Sequence, residues 1–444
     1  MDLVLRAPIT TALVRLATPN VIAACLMTAV TVADAWFVGQ FGTVALASLA
    51  VVFPFQTLMQ MMAGGAIGGG VTSAVARALG RGDADGASSA AWHALLIAAA
   101  MSLLFMLALG AFAHPVFALI GARGEALAGA VEYAQIAFGG AAATWLTFVT
   151  SAILRGTGDT ATPSKAITLG SFAQVALSGV LTLGAGPVTA QGVVGPAMAM
   201  VTVQGSIGLF LLAYIFAGKT PVRLAKQSFR VASIKDIMRV GAIGLVNSLS
   251  IAATVVVVTA LVARHGTAAL AGYGLGSRLE LMLVPIAFGI GGALTAAVGL
   301  NFGAGQYARA RRIAWLGGGA TFAATATIGG VFALWPHLWL DRFTADPAAY
   351  AVGTHYLWIV GPFYGLFAAG QTLYFASQGT GRMGLPVTVG VARFVVVAGL
   401  AALLTASALP VGWLFGAVAL GLVIVGAGLS ACVALSGPWN PDRP

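Results

Sequence analysis

Charge is what this sequence has least of. Of 444 residues only 8% are Asp, Glu, Lys or Arg, while 59% are hydrophobic; a soluble domain carries about 25% charge. That scarcity excludes a water-soluble globular protein and points to a polytopic membrane protein. Cysteine is almost missing. Cys25 and Cys432 lie in apolar runs without metal-ligand spacing and read as buried hydrophobes. The histidines are scattered, with no HExxH and no convergent nucleophile or base, which argues against an intramembrane enzyme. There is no GxxxxGK[ST] loop, so nucleotide hydrolysis is not expected. Residues 1–17 hold Arg6 and Arg15 but no short apolar run with a small-residue cleavage site, so the first span is expected to stay in the mature protein. The ~10-residue alternation of a transmembrane barrel is also missing.

What is there is a series of long apolar runs. A span needs about 20 apolar residues, and twelve candidates fit: 12–40, 44–76, 88–112, 130–154, 163–185, 191–217, 240–263, 268–300, 313–335, 349–377, 386–407 and 410–436. Glycine, at 59 residues, permits close helix approach. An even number of spans puts both termini on one side. Placing them inside leaves 17 of the 22 basic residues in inner segments. Only Arg123, Arg264 and Arg342 fall in outer loops, and Arg278 and Arg393 fall in spans. This asymmetry predicts cytoplasmic termini. It also accounts for the net charge of +10 without invoking nucleic acid. The run 219–239 is rich in Lys and Arg, and it reads as a basic cytoplasmic linker between an N-terminal lobe (1–218) and a C-terminal lobe (240–444).

The two halves repeat. FGTVALASLA at 41–50 resembles HGTAALAGYG at 265–274; LGRGD at 79–83 resembles FGAGQ at 302–306; RGTGDTATP at 155–163 resembles QGTGRMGLP at 378–386. All three share an offset of 223 or 224 residues, in the same order. Six spans per half make the repeat parallel, about an axis along the membrane normal, and two such bundles leave a cleft that tilting opens to either side. The expected fold is therefore all-α and integral to the membrane, with twelve transmembrane helices in two pseudo-twofold-related six-helix bundles around a central cleft.

Of the twelve acids, only Asp34 and Glu280 lie well inside apolar runs. A carboxylate at a helix centre costs roughly 2.5–3.5 kcal/mol on insertion scales, so it is expected in a wet cavity. There it can bind and lose a proton near neutral pH. Asp34 is placed about eight residues, or ~12 Å, from the outer end of span 1. Glu280 reads as available to a cation or a second proton, or as bridged to Arg264 or Arg278. The repeat pairs it with Gln56. Arg393 could pair with Glu280, contact an anion or snorkel.

The patterns TPN…VADAWFVGQFG, LRGTGDTATP, GVVGPAMAM and SRLELMLVP…NFGAG together resemble the multidrug and toxic compound extrusion (MATE) transporters over nearly the whole chain. The resemblance implies that Asp34 is the ion-coupling acid of the N-terminal lobe. It implies that Pro19 lets span 1 bend or straighten; otherwise Pro19 sits in the helix's first turn, where it costs nothing. Many relatives carry an Asn and a second Asp on span 5, where this chain has Gln174 and Ser178, which favours protons over sodium. Gln174 is the expected partner of Asp34. Other relatives place acids on spans 7 and 10, where only Asn247 and Gln371 remain as polar lining. Met27, Trp145 and Tyr374 are further cavity candidates, suited to apolar cations.

The expected function is a secondary active multidrug efflux antiporter of the cell inner membrane. It would export amphipathic, cationic small molecules in exchange for protons (or sodium), as a monomer among membrane lipids, with no cofactor, metal or nucleic acid. The alternatives are a lipid-linked oligosaccharide flippase of the same superfamily, which would carry more basic residues within its spans, and a passive channel, which wants rings of polar groups.

Overall fold

The structure is a computed structural model that describes residues 2–225, 228–407, 409–435 and 437–439. Lys226, Asp442 and Arg443, counted above among the loop and tail charges, lie outside the described residues. Among those described, ten helices are long and apolar enough to cross a membrane. They are α1 (Ile9–Gly39), α2 (Thr43–Gly80), α3 (Ala84–Ala111), α5 (Ala161–Leu183), α6 (Gly192–Phe216), α7 (Val231–Ala263), α8 (Thr267–Gly303), α9 (Tyr307–Leu334), α11 (Gly384–Ala406) and α12 (Val411–Leu435). An eleventh crossing, α4, joins Gly124–Gly139 to Ala141–Gly156 at a bend of 44°. The twelfth, α10, joins Pro347–Val360 to Tyr364–Thr380 through the tight turn Gly361–Phe363. Twelve transmembrane helices in two bundles, α1–α6 and α7–α12, make the fold.

The spans read as continuous at 130–154 and 349–377 are broken ones, and they break at equivalent points of the repeat. Gly140 (φ −90°, ψ 18°) and Phe363 (φ −98°, ψ 0°) both leave helical geometry for the bridge region. In α10, Pro362 also lacks the N–H that would continue the ladder. The second half of α10 is almost wholly buried among α8, α9 and α12. It is too short to span alone, and its neighbours rather than lipid enclose it.

The repeat extends to the backbone. Gly42 and Gly266 (φ 92° and 102°), Gly82 and Gly305 (79° and 74°), and Gly158 and Gly381 (88° and 75°) occupy matching turns in the left-handed region that glycine enters without strain. Hydrogen bonds repeat as well. Thr72 Oγ1 donates to the Ala152 carbonyl at 3.0 Å, and Thr295 Oγ1 to the Phe375 carbonyl at 2.8 Å.

The bundles join at the end of the molecule that carries the chain's first residues. There the second half of α2, Ile67–Gly80, packs on α7, α8 and α10, whereas its first half, Thr43–Gln60, packs chiefly on α1 and α4. The crossing of α2 and α8 is reciprocal. A Cβ on Gly80 would strike the Leu300 carbonyl, and a Cβ on Gly303 would strike the Arg77 carbonyl. Residue i meets j and j meets i, the signature of a twofold contact, here inside one chain. Away from that end the first half of α2 packs within its own bundle, and the cleft lies beyond the seam.

An ion pair reinforces the joined end. Both terminal contacts from Arg77 Nη2 to the Asp236 carboxylate are 2.8 Å. Arg77 also donates to Ser73 Oγ, which donates to the Gln378 carbonyl, so α2, α7 and α10 are tied together. The basic linker docks on α3. The Arg223 N–H donates to Ser88 Oγ at 3.0 Å, and the Arg230 N–H to His93 Nε2 at 2.9 Å. His93 Nδ1 lies 2.7 Å from the Ser89 carbonyl, which fixes the tautomer that leaves Nε2 as acceptor.

Two expectations need correcting. Cys25 is exposed and Cys432 only half-buried, so neither belongs to the core; a membrane protein turns apolar side chains outward to lipid as readily as inward. Pro19 is not in a first turn, because α1 begins at Ile9 and runs through it. Its missing N–H opens the ladder inside the helix. One turn earlier, Thr160 Oγ1 donates to the Leu16 carbonyl at 3.1 Å.

Candidate functional site

Asp34 opens into a chamber of about 540 Å³ within the first bundle, counted with the open space at its mouth. Because α1 ends at Gly39, Asp34 lies nearer the far end than the sequence suggested, about 7–8 Å from the helix terminus. Ser178 Oγ on α5 donates to Asp34 Oδ1 at 2.5 Å, and Gln174, one turn before it, faces the same carboxyl group. The side chain that replaces the relatives' second acid therefore holds the first one. The chamber is lined by Met27 and Thr31 of α1, Gln56 and Gln60 of α2, Thr147 of α4, and Met200 and Gln204 of α6. Among the described residues no basic side chain lines it. Tyr133 donates to Gln56 Oε1 at 3.2 Å, and Gln56 Nε2 meets Met200 Sδ at 2.8 Å.

Glu280 lines a second chamber, of about 310 Å³, in the other bundle with Phe288, Tyr364, Phe367 and Gln371. Tyr356 donates to Glu280 Oε2 at 3.2 Å. Tyr133 and Tyr356 are repeat partners, as are Gln56 and Glu280, so the two bundles use one hydrogen bond with an amide in one and an acid in the other. Arg264 and Arg278, offered as salt-bridge partners of Glu280, are exposed instead. The cation near Glu280 is Arg393 of α11, buried with its guanidinium 5.5 Å from the Phe367 ring.

A third space, of about 340 Å³, lies between the bundles. Met61 and Gly65 of α2 face Asn247 of α7, Phe288 of α8, and Gln371 and Tyr374 of α10 across it. Asn247, Gln371 and Tyr374, singled out separately in the sequence, thus come together. Phe288 and Gln371 border the second chamber too, so the two spaces adjoin. Trp145 does not join them. It is fully buried in the core, its ring 6.2 Å from Phe105, because the bend in α4 turns that face toward α3 rather than the cleft. Ser178 and Arg393 carry site geometry that the sequence left unassigned. A hydroxyl on the helix facing Asp34 was the signal for Ser178.

Two matched helical bundles, one holding a polar chamber and the other a largely apolar one with an acid in its wall, and a further space between them, define a multi-pass membrane transporter. The chain belongs to the MatE family, whose model matches it twice, over residues 19–180 and 243–403. The FAD transporter of Shewanella oneidensis is 29% identical over 315 residues, covering 69% of this chain and 68% of that protein. The probable multidrug resistance protein NorM of Thermotoga maritima is 27% identical over 316 residues, 70% and 68% of the two chains. Among solved structures, MATE in the straight conformation superposes with a TM-score of 0.88 at 24% identity, covering 98% and 99% of the two chains. An outward-facing multidrug resistance MATE family transporter of the MOP superfamily gives 0.86 at 25% identity, covering 99% and 97%.

Proposed function

We propose that this protein is a secondary active exporter of the cell inner membrane. It exchanges protons, with sodium the lesser alternative, for amphipathic cationic small molecules by alternating access, working as a monomer without a cofactor. Its termini and basic linker face the cytoplasm, so the cleft of this structure opens outward. The observation that carries the reading is Asp34: an acid with no basic neighbour on its chamber wall among the described residues, held by a neutral hydroxyl and facing an amide. A proton and a cationic solute compete for such a carboxylate. A proton arriving from outside neutralises it and releases the solute; loss of that proton inside restores the charge. The membrane potential assists, at about 2.3 kcal/mol per charge per 100 mV. Gln174 and Ser178 orient the carboxyl group, Pro19 gives α1 its freedom to bend, and Glu280 serves the solute in the second bundle. Gln56, Asn247, Gln371, Tyr374 and Met27 line the route.

The printed name of the Shewanella relative suggests an anionic flavin cargo, and the superfamily includes lipid-linked oligosaccharide flippases. Both would want cations on the chamber walls, where the first chamber has none among the described residues. The test is dye efflux from cells and inverted vesicles. Asp34→Asn is expected to insert and fold normally but to lose gradient-driven efflux. Efflux by the variant at the wild-type rate would refute the assignment.

A further inference from the structure

The charged groups of the two bundles are distributed unequally although the backbone is duplicated. Gln56 and Gly170 line the first chamber together. Their repeat partners are Glu280 and Arg393. Where one bundle has an amide and a residue with no side chain, the other has an acid and a guanidinium at the matching positions. Arg393 is 6% exposed, its Nε has no hydrogen-bond partner, and its Cζ lies over the ring of Phe367, a wall of the chamber that holds Glu280. The other titratable groups around the acid are phenols: Tyr356, which donates to it, and Tyr273 and Tyr364. Arg393 is the cation whose field reaches Glu280.

We infer that Arg393 is a built-in surrogate for the cationic solute and thereby a specificity-determining residue. It compensates Glu280 while the second chamber is empty and yields it when an organic cation enters. This rests on the exporter reading above. A buried charge left without a partner is strongly destabilising, so a lone Glu280 would need a proton whenever the solute left. With Arg393 in reach it needs none. Asp34, which has no such partner, is then the single acid that exchanges solute for a proton. Phe367, with the Arg393 Cζ over its ring, offers that ring face to either cation in turn.

The experiment counts protons released when tetraphenylphosphonium binds purified full-length protein, by calorimetry in buffers of different ionisation enthalpy. The Asp34→Asn background isolates the second chamber. There, binding is expected to release no proton. Adding Arg393→Met should make binding release about one proton per cation and give Kd a matching pH dependence. Arg393→Lys should restore proton-free binding, and the triple variant with Glu280→Gln should also release none. If Asp34→Asn alone already releases a proton, or if the Arg393→Met variant binds without releasing one, the inference is overturned. Should the Met variant fail to fold, the Asp34→Asn measurement still decides. If no variant, wild type included, binds the probe, the cationic reading falls and this inference with it; binding with the wrong proton count removes this inference alone.

Discussion

Gly80→Ala is the substitution that tests the joined end most directly. The added Cβ would fall on the Leu300 carbonyl oxygen and 2.9 Å from the Ala304 nitrogen and Gly303 Cα. Atoms of a helix backbone have no rotamer by which to withdraw, so α2 and α8 must part. Overpacking of this kind costs about 1–3 kcal/mol. Only the state closed at this end bears that cost, which shifts its balance with the opposite state by about 5- to 150-fold. A reporter is available at Phe288, which borders both the second chamber and the inter-bundle space. Phe288→Cys, with Cys25 and Cys432 replaced by Ala, would be labelled with an impermeant maleimide from each face of sealed vesicles. Gly80→Ala is expected to lower labelling from the far end, raise it from the joined end and lower Tm. Gly303→Ala should do the same, and the double variant less than the sum, because one separation relieves both clashes. Gly319, with nothing within 4 Å of its Cβ position, is the control: Ala there is neutral to stabilising by up to about 1 kcal/mol. Wild-type labelling and Tm in Gly80→Ala would refute the twofold seam as the closing contact.

Transport in proteoliposomes should follow a pH gradient more than a sodium gradient, since Ser178 occupies the place of a second carboxylate. Efflux driven by sodium at constant pH, and not by protons, would overturn that. At the Arg77–Asp236 pair the side chains are 7% and 44% exposed, so removing the two partners should have unequal effects. Asp236→Asn leaves a buried guanidinium without its countercharge and should cost up to about 3–5 kcal/mol. Arg77→Met leaves only a hydratable carboxylate, and the double variant should be more stable in thermal melts than Asp236→Asn alone. Equal losses for the two single variants would argue against burial as the cause.

The bundles were legible because lipid writes its constraint along the chain. Apolar runs and positively charged loops mark each crossing, and the glycines of FGT/HGT, RGD/AGQ and TGD/TGR mark the matching turns. Asp34 and Glu280 stood out because a carboxylate in an apolar run is costly wherever the helix ends up. Rotational position was not legible. In a bilayer both the lipid face and the packed face are apolar, so periodicity cannot say that Trp145 turns into the core or Cys25 outward. The breaks in α4 and α10 had a signal, Gly139-Gly140 and Gly361-Pro362, but in apolar spans where neighbouring helices supply what a broken ladder gives up, glycine and proline do not by themselves say that a helix ends.

From its order of residues alone, then, this protein was fixed as twelve crossings, a duplication, and two acids held in oil. The resemblance offered Gln174 for Asp34, but that Ser178 holds it, and which of three arginines lies near Glu280, was settled only when the helices packed. Ser178 and Gln174 meet Asp34 from α5, and Arg393 of α11 lies over Phe367, a wall of the chamber that holds Glu280, each across more than a hundred intervening residues. Charges and hydrogen bonds act over a few ångströms in space, and no local rule of sequence says which distant side chains the fold will bring that close.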